Sequence, residues 1–523
     1  MAKKIPIWIF IATALVFYLG AYLHYPALPG NDLAHPEGWW GWFDQGEYLK
    51  ATRALSALNF DSANHRYPPL YPLLGALFYK WWPNHPFFFV NGLTLLWFVF
   101  VYVRISDRYV SRTVSFVLLF ISLYCNTEIF INFVIPWTTT VTVAVYSFAL
   151  YGLAKLSEAG EEDIEHNAQR IWSASGYAAI VSLLVLARPV DAGPVIVFFP
   201  AYLYLVYRSN PGVALPQRLR RITLVALALG IGLAFGVLLY LGFNQLVYGS
   251  ALGGYFQATA SSSGYFPSQI FRKSFSLLFD GGTVFLEQRS ALVSHYPWLI
   301  LSILGMCWCF FRGDWLLRTI ALVMICQFCL YAPYGDLLPN GVWRYHNIHY
   351  FKWTFPYLAL FAWLLVRWAF IGWRTAGARS FGVKIGVVVM LSVLLLMPRY
   401  AVTSEPGTIQ LVTGNLDVAQ NGLYLGFARN RVDFIDIYGL SGGFSDVYFG
   451  EHRLYNDGKE LQKVRDFRLL PAPWGVRLLF NKPLNADHLI FAPGQGLAAN
   501  GATVSIKVSS YGFELGRPHL FHD

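Results

Sequence analysis

The sequence is short of charge. Only 13% of its 523 residues are Asp, Glu, Lys or Arg, about half the share found in soluble domains. So little charge cannot cover the surface of a water-soluble enzyme of this length, and the composition is that of a chain solvated largely by lipid. Cysteine is also scarce. The five are Cys125, Cys307, Cys309, Cys326 and Cys329. The last four have CxC and CxxC spacing, but both pairs lie inside apolar runs (LGMCWCFF and LVMICQFCLY), where cysteine acts as a small hydrophobe rather than a metal ligand. No repeat of about 20 to 50 residues is evident, and no nucleic-acid motif appears. The formal charge of +10 sits in short loops between apolar runs, as the positive-inside rule expects, so nucleic acid is not the partner.

Apolar and aromatic residues fill the space instead. Hydrophobic residues make up 56% of the chain and aromatic residues 18%, with 18 Trp and 32 Tyr. Such rings suit the headgroup boundary, where one edge is apolar and the other wet. Apolar runs near 5–23, 86–103, 110–126, 130–154, 173–190, 193–207, 222–247, 297–311, 315–333, 353–373 and 383–398 predict about eleven transmembrane helices at about 20 residues per crossing. The first follows Lys3 and Lys4 like a signal peptide, but it is long enough to span and no small-x-small cleavage site follows, so it is expected to be retained.

Charge placement sets the topology. If the short run 68–82 does not span, Lys3/Lys4, Arg104/Arg108/Arg112, Arg208/Arg218/Arg220/Arg221, Arg312/Arg318 and Arg374/Arg379/Lys384 all fall on one side, as the positive-inside rule requires. The run 68–82 is then a half-buried or re-entrant helix on the outer side. The N-terminus is cytoplasmic, and the outer segments are 24–86, 245–296 and 335–351. The expected fold is an α-helical polytopic membrane protein with outer-side interfacial helices. A transmembrane domain covers 1–399. A small β-rich, non-cytoplasmic domain covers 400–523, where Gly, Asp and Asn turns separate alternating pieces such as WGVRLLF (474–480), HLIFA (488–492) and TVSIKVS (503–509).

Ionisable residues beside membrane spans are functional candidates by default, and the outer side has few. In GWWGWFDQGEYLKATRALSAL (38–58) an interfacial amphipathic helix is expected, with Asp44 and Glu47 three apart on one face. A solvated first turn accounts for these acids equally well. In NHRYPPLYPLLGAL (64–77), His65, Arg66 and Tyr67 precede a rigid Pro-Pro entry into a helix, and a cation there could meet a phosphate. Glu128 lies at the outer end of a span in YCNTEIFINFVIPW (124–137). Arg188 and Asp191 share the tight hairpin LARPVDAGP (186–194), where mutual pairing is the simpler reading. NGVWRYHNIHYFKW (340–353) interleaves Arg344, His346, His349 and Lys352 with Trp343, Tyr345 and Tyr350. His346 and His349 have metal-ligand spacing but no accompanying acid, so phosphate binding is the stronger reading of this loop.

Carboxylates and cations together at a lipid boundary are what glycosyl transfer from a lipid phosphate needs. One takes the proton of the acceptor hydroxyl, and the other balances charge on the departing phosphate. At these residues the chain resembles the GT-C superfamily, which includes protein O-mannosyltransferases and the lipid A aminoarabinose transferase. FDQGEYLKATRAL (43–55), RYPPLYPLLGALFY (66–79), NTEIFINFVIPWTTT (126–140), LARPVDAGPVIVFFPAYLYL (186–205), FNQLVYGSALGGYF (243–256) and WRYHNIHYFKWTFPYLALF (343–361) carry the resemblance, in order, over roughly 1–398.

The resemblance implies an inverting transferase of the bacterial inner membrane, working on the periplasmic side with a polyprenyl-phosphate sugar donor and a lipid, glycan or protein acceptor. It makes Asp44 the base and Glu128 a second acid, with Glu47 beside them. Arg344, Arg66, Lys352 and His65 become donor-phosphate contacts. Tyr345, His346, His349, Tyr67 and Arg188 become substrate contacts. It fixes no cofactor and leaves a divalent cation (Mg or Mn) open. Many relatives carry adjacent acids where Gln45 follows Asp44 here. An O-antigen ligase or polymerase with a diphosphate-linked donor, and a lipid-linked sugar transporter or flippase, remain as alternatives.

Overall fold

A computed structural model describes residues 5–158, 167–209, 214–253, 267, 270–279, 291–334, 337, 342, 346–375 and the strand segments 408–415, 423–438, 444–450, 462–463, 467–472, 475–493, 503–509, 513–514 and 517–518. The chain forms two compact units, one of residues 1–262, 298–331 and 343–388, the other of 263–297, 332–342 and 389–523.

The first unit is helical. Among its described residues five helices are long and apolar enough to cross a membrane: Ile7–His24, Phe88–Ser106, Thr139–Glu158, Pro189–Arg208 and Leu215–Tyr248. This is a multi-pass membrane protein. The predicted runs at 173–190, 297–311, 315–333 and 353–373 appear as shorter apolar helices, Ile171–Ala187, Leu299–Arg312, Trp315–Tyr331 and Thr354–Ala369. The run at 383–398 lies outside the described residues. The run at 68–82 is the ten-residue helix Leu70–Tyr79, about half the length that a crossing needs.

One expectation is corrected. The runs 110–126 and 130–154 are not two simple spans. Helix Arg112–Tyr124 bends by 79° into Thr127–Phe133, and a new helix starts only at Thr139. Asn126 makes the bend by capping the short helix, its side chain accepting from Ile129 N at 3.3 Å. Pro136 keeps 134–138 non-helical, having no N–H to give and fixing its φ.

The broken backbone is held by buried polar side chains from other elements. Asn91, fully buried in the Phe88–Ser106 helix, donates to Val134 O at 3.0 Å and accepts from the Tyr71 hydroxyl at 2.9 Å. Gln45 donates to Pro136 O at 3.1 Å. Lys352 donates to Asn132 O at 2.6 Å.

The basic loops meet at the opposite end of these helices. Arg108 bridges to Glu158 at 2.7 Å, Arg112 bonds Asp107 at 2.8 Å and reaches Ile5 O, Tyr109 donates to Asp314, and Arg367 donates to Tyr109 O. Segments near residues 5, 107–112, 154–158, 314 and 367 thus share one end, as the charge pattern requires.

The Leu215–Tyr248 helix packs on Asn167–Ser182 through Gly232 and Gly236. A Cβ at Gly232 would lie 2.3 Å from Ser175 O, and one at Gly236 would lie 2.2 Å from Ser182 Oγ. Small residues four apart let membrane helices approach this closely.

In the second unit, a seven-stranded antiparallel sheet has the order β1 (Thr408–Asn415), β7 (Thr503–Ser509), β2 (Leu423–Tyr438), β6 (Gly475–Pro493), β3 (Phe444–Gly450), β4 (Gln462–Lys463), with β5 (Phe467–Ala472) also on β6. The pieces expected at 474–480 and 488–492 are one continuous 19-residue strand. Asp436 and Arg477, cross-strand neighbours, form a buried two-point ion pair at 2.5 and 2.8 Å, and the guanidinium lies over Phe434.

Gly232→Val or Gly236→Leu should destabilise the protein by about 1–3 kcal/mol through overpacking, read as a lower thermal midpoint in detergent. Gly230→Ala, where a Cβ meets nothing within 4 Å, should leave the midpoint unchanged.

Candidate functional site

The Phe43–Ser56 helix starts from Trp42 in extended backbone, with Asp44 in its first turn, where the helix N-terminus favours a carboxylate. Gln45 turns inward to the Pro136 carbonyl. Asp44 stays half-buried, and its Oδ1 accepts the Tyr67 hydroxyl. Glu47, also half-buried, follows at the three-residue spacing that shares a helix face. Tyr67 stands at the Pro-Pro turn and meets the buried Tyr48 ring edge-on at 4.9 Å. Tyr48 in turn meets Tyr71 at 5.8 Å.

Arg188 is the buried cation of the site. Pro189 behind it favours extended backbone, and Arg188 has φ −168° and ψ 109°. That geometry carries its guanidinium onto the face of Tyr350, 4.4 Å from the ring centroid, with Tyr331 at 5.3 Å. Planar, weakly hydrated guanidinium tolerates such a site better than ammonium would.

The simple Arg188–Asp191 pairing expected from the sequence is only part of the arrangement. Asp191 is fully buried and accepts from Tyr331 at 2.6 Å and Thr142 at 2.7 Å, while Tyr146 donates to its backbone carbonyl. Arg188 acts on it electrostatically.

Asp44 and Arg188 address the same hydroxyl. Burial, followed by the Asp44 carboxylate and Tyr67, pushes Tyr48 well above the ordinary tyrosine range, and Arg188 opposes the rise. The Tyr48 phenol is therefore neutral, and its ring contact with Tyr67 links it to the Asp44 carboxylate.

The remaining candidates divide. Glu128 lies half-buried in the first turn of its short helix and acts on His346. His346 stacks on Trp42 and has φ +56°, a left-handed conformation uncommon for residues other than glycine. Burial lowers its basicity, and Glu128 works against that. His349 is buried flat against Trp137, centroids 4.0 Å apart, with its Nδ1 bonded to Thr139 Oγ1 at 2.9 Å. Burial, then Arg188 and Lys352, lower it well below the ordinary histidine range.

Arg66 is exposed on the Phe43 ring at 4.5 Å. His65 is committed elsewhere: it is buried, its Nε2 paired with Asn59 O at 2.8 Å and its ring between Phe60 and Phe243. Lys352 is fully buried, with its Nζ on Asn132 O and Thr140 Oγ1. Arg344 and Tyr345 lie outside the described residues. Among the described residues no group of three or more His, Cys, Asp or Glu side chains gathers to hold a metal.

Asp44, Tyr67, Arg188, Glu128, His346 and His349 are thus brought into one neighbourhood of the first unit by Tyr48, Trp42 and Trp137. Sequence reasoning missed Tyr48, Trp137, Thr139 and Tyr331. Their signal was present as hydroxyls and an indole within otherwise apolar segments, but nothing linear pairs Arg188 with Tyr350 or Gln45 with Pro136.

No family model and no curated protein matches the chain. Among solved structures it is similar to the crystal structure of ArnT from Cupriavidus metallidurans bound to undecaprenyl phosphate. The identity is 15% and the TM-score 0.43, over 76% of this chain and 72% of that one.

The burial of Lys352 predicts a pH signature. Desolvation pushes its amine well below the ordinary value of 10.5, so between the lowered and ordinary values the unfolded chain binds one proton more than the folded chain. Stability then rises with pH in that window. Comparing thermal midpoints from about pH 8 to pH 10, wild type should gain on Lys352→Met by at most about 1.4 kcal/mol per pH unit. Parallel curves would show that Lys352 is charged in the fold.

Proposed function

We propose that the protein is an inverting glycosyltransferase that moves a sugar from a polyprenyl-phosphate donor to a lipid, glycan or protein hydroxyl at the non-cytoplasmic face of a bacterial inner membrane. About eleven crossings, with residues 400–523 on the non-cytoplasmic side, belong to the same reading. The observation that carries it is a half-buried carboxylate, Asp44, held by the Tyr67 hydroxyl, in the same unit as a buried guanidinium, Arg188, seated on the faces of Tyr350 and Tyr331, away from the end where the basic loops meet. The donor class follows from the resemblance of the membrane part to the GT-C superfamily.

In this reading Asp44 takes the proton of the acceptor hydroxyl as its oxygen bonds to the anomeric carbon. The bond from that carbon to the phosphate oxygen breaks, and the phosphate leaves with the electron pair. Arg188 balances the charge appearing there, with Arg66 and Arg344 as further phosphate contacts. One displacement inverts the anomeric centre. Tyr67 holds Asp44 by its Oδ1 and leaves the second oxygen for the acceptor. Glu128 and His346 form a second acid–base pair beside Trp42. Aromatic walls from Tyr48, Trp42 and Trp137 exclude water, which would otherwise compete as acceptor. No step is routed through a metal.

The test is transfer by purified protein from radiolabelled polyprenyl-phosphate sugars into a membrane extract. Asp44→Asn should lower turnover by about 10²–10⁴-fold, and Arg188→Ala by about 10²–10³-fold, both with folding retained. Released polyprenyl monophosphate supports the reading. Released diphosphate would move the chain to the ligase or polymerase class, and relocation of intact lipid-linked sugar to the transporters. Full turnover by Asp44→Asn would remove the base assignment.

A further inference from the structure

Lys352 was a candidate donor-phosphate contact, yet its surroundings describe a different task. The side chain has no exposed surface, and Phe133 covers the amine at 4.8 Å. Nζ has two acceptors, Asn132 O at 2.6 Å and Thr140 Oγ1 at 2.9 Å. Those two bonds tie together three segments. Asn132 belongs to the short hairpin that carries Glu128, and its own amide donates to the Glu128 carbonyl at 2.6 Å. Thr140 stands at the start of the Thr139–Glu158 helix, beside the Thr139 that holds His349. Lys352 itself follows the loop bearing His346 and His349.

The neighbouring carbonyls make the same demand. Val134 O and Pro136 O lie in the same non-helical stretch, and buried amides of Asn91 and Gln45 serve them. Asn132 O is served by Lys352 in the same manner. A backbone acceptor left unpaired at this depth costs about as much as a lost buried hydrogen bond.

We propose that Lys352 is a positioning residue whose amine, spent on the Asn132 carbonyl and the Thr140 hydroxyl, fixes the Glu128 hairpin against the loop carrying His346 and His349 and does not contact donor phosphate. The effect on transfer rests on the glycosyltransferase reading; the effect on the hairpin does not.

The experiment uses the full-length protein in lipid–detergent micelles as wild type, Lys352→Met, Lys352→Arg and Thr140→Val. It reads hydrogen exchange over 126–133, binding of undecaprenyl phosphate, and steady-state transfer. Lys352→Met should speed exchange over 126–133 by about tenfold or more, the equivalent of one lost buried hydrogen bond. It should lower kcat by a similar factor, with donor KM and undecaprenyl-phosphate Kd within about twofold of wild type. Lys352→Arg should not rescue, because a larger, permanently charged group has no room there. Thr140→Val, which keeps the amine, should give a weaker version of the same pattern and decides the matter if Lys352→Met fails to fold.

Loss of undecaprenyl-phosphate binding in Lys352→Met with retention in Lys352→Arg would make Lys352 a phosphate ligand and overturn the proposal. A lowered thermal midpoint with unchanged kcat per folded molecule would reduce it to a purely structural residue and overturn it as well. If wild type transfers from no donor, the functional reading fails, while unchanged exchange over 126–133 alone would still sink the clip.

Discussion

A hairpin that breaks inside an apolar bundle leaves carbonyls that water cannot reach, and most of what surrounds the candidate site answers that problem. At Cys125 and Asn126 the chain turns by 79°, and from Val134 to Thr138 it runs non-helical past Pro136. Irregular backbone at membrane depth persists only where protein donors replace the missing ladder. Three such donors arrive from three elements: Asn91 from a long span, Gln45 from the helix that bears Asp44, and Lys352 from the loop that bears His346 and His349. Satisfying the hairpin therefore also assembles the site. Gln45 and Lys352 each tie a candidate-bearing element to the stretch that follows Glu128 as a consequence of pairing a carbonyl.

Electrostatics divides the first unit into two ends with different economies. At one, Arg108, Arg112 and Arg367 find Glu158, Asp107 and backbone carbonyls near solvent; such exposed pairs add little stability but record which loops lie together. At the other, charges are few and handled individually. Arg188 rests on tyrosine faces, Asp191 is shared between two hydroxyls, and burial, with Arg188 beside it, lowers the basicity of His349. Asp44 alone among the first-loop acids combines a hydroxyl donor with a half-exposed position, which fits a group that must both hold a fixed geometry and exchange a proton with a substrate.

Parts of this were open to sequence reasoning for plain reasons. The Ile7–His24, Phe88–Ser106 and Leu215–Tyr248 helices are single apolar runs bounded by polar residues, so length and hydropathy reveal them. The shortness of Leu70–Tyr79 follows from Pro69 before it and Lys80 after it. Asp44, Glu128, Arg188 and His349 stood out because ionisable residues beside spans are rare. The break at 124–139 did not stand out, because NTEIFINFVIPW stays apolar on both sides of the bend and only Asn126 and Pro136 mark it. His65 and Lys352 looked alike as cations near a boundary, and burial alone separates them from Arg66.

By itself, then, the sequence determined the solvent of this protein, the position of several apolar helices, the meeting of the basic segments near residues 5, 107–112 and 314 at one end, and the short list of ionisable residues. These depend on composition and local periodicity. Where each of those residues sits and what it touches was decided by tertiary structure, because the partners are distant along the chain: Gln45 and Pro136 are 91 residues apart, and Lys352 and Asn132 are 220 apart. Hydrogen-bond satisfaction in a dry interior is a property of the packed whole, and no window of sequence contains both halves of such a bond.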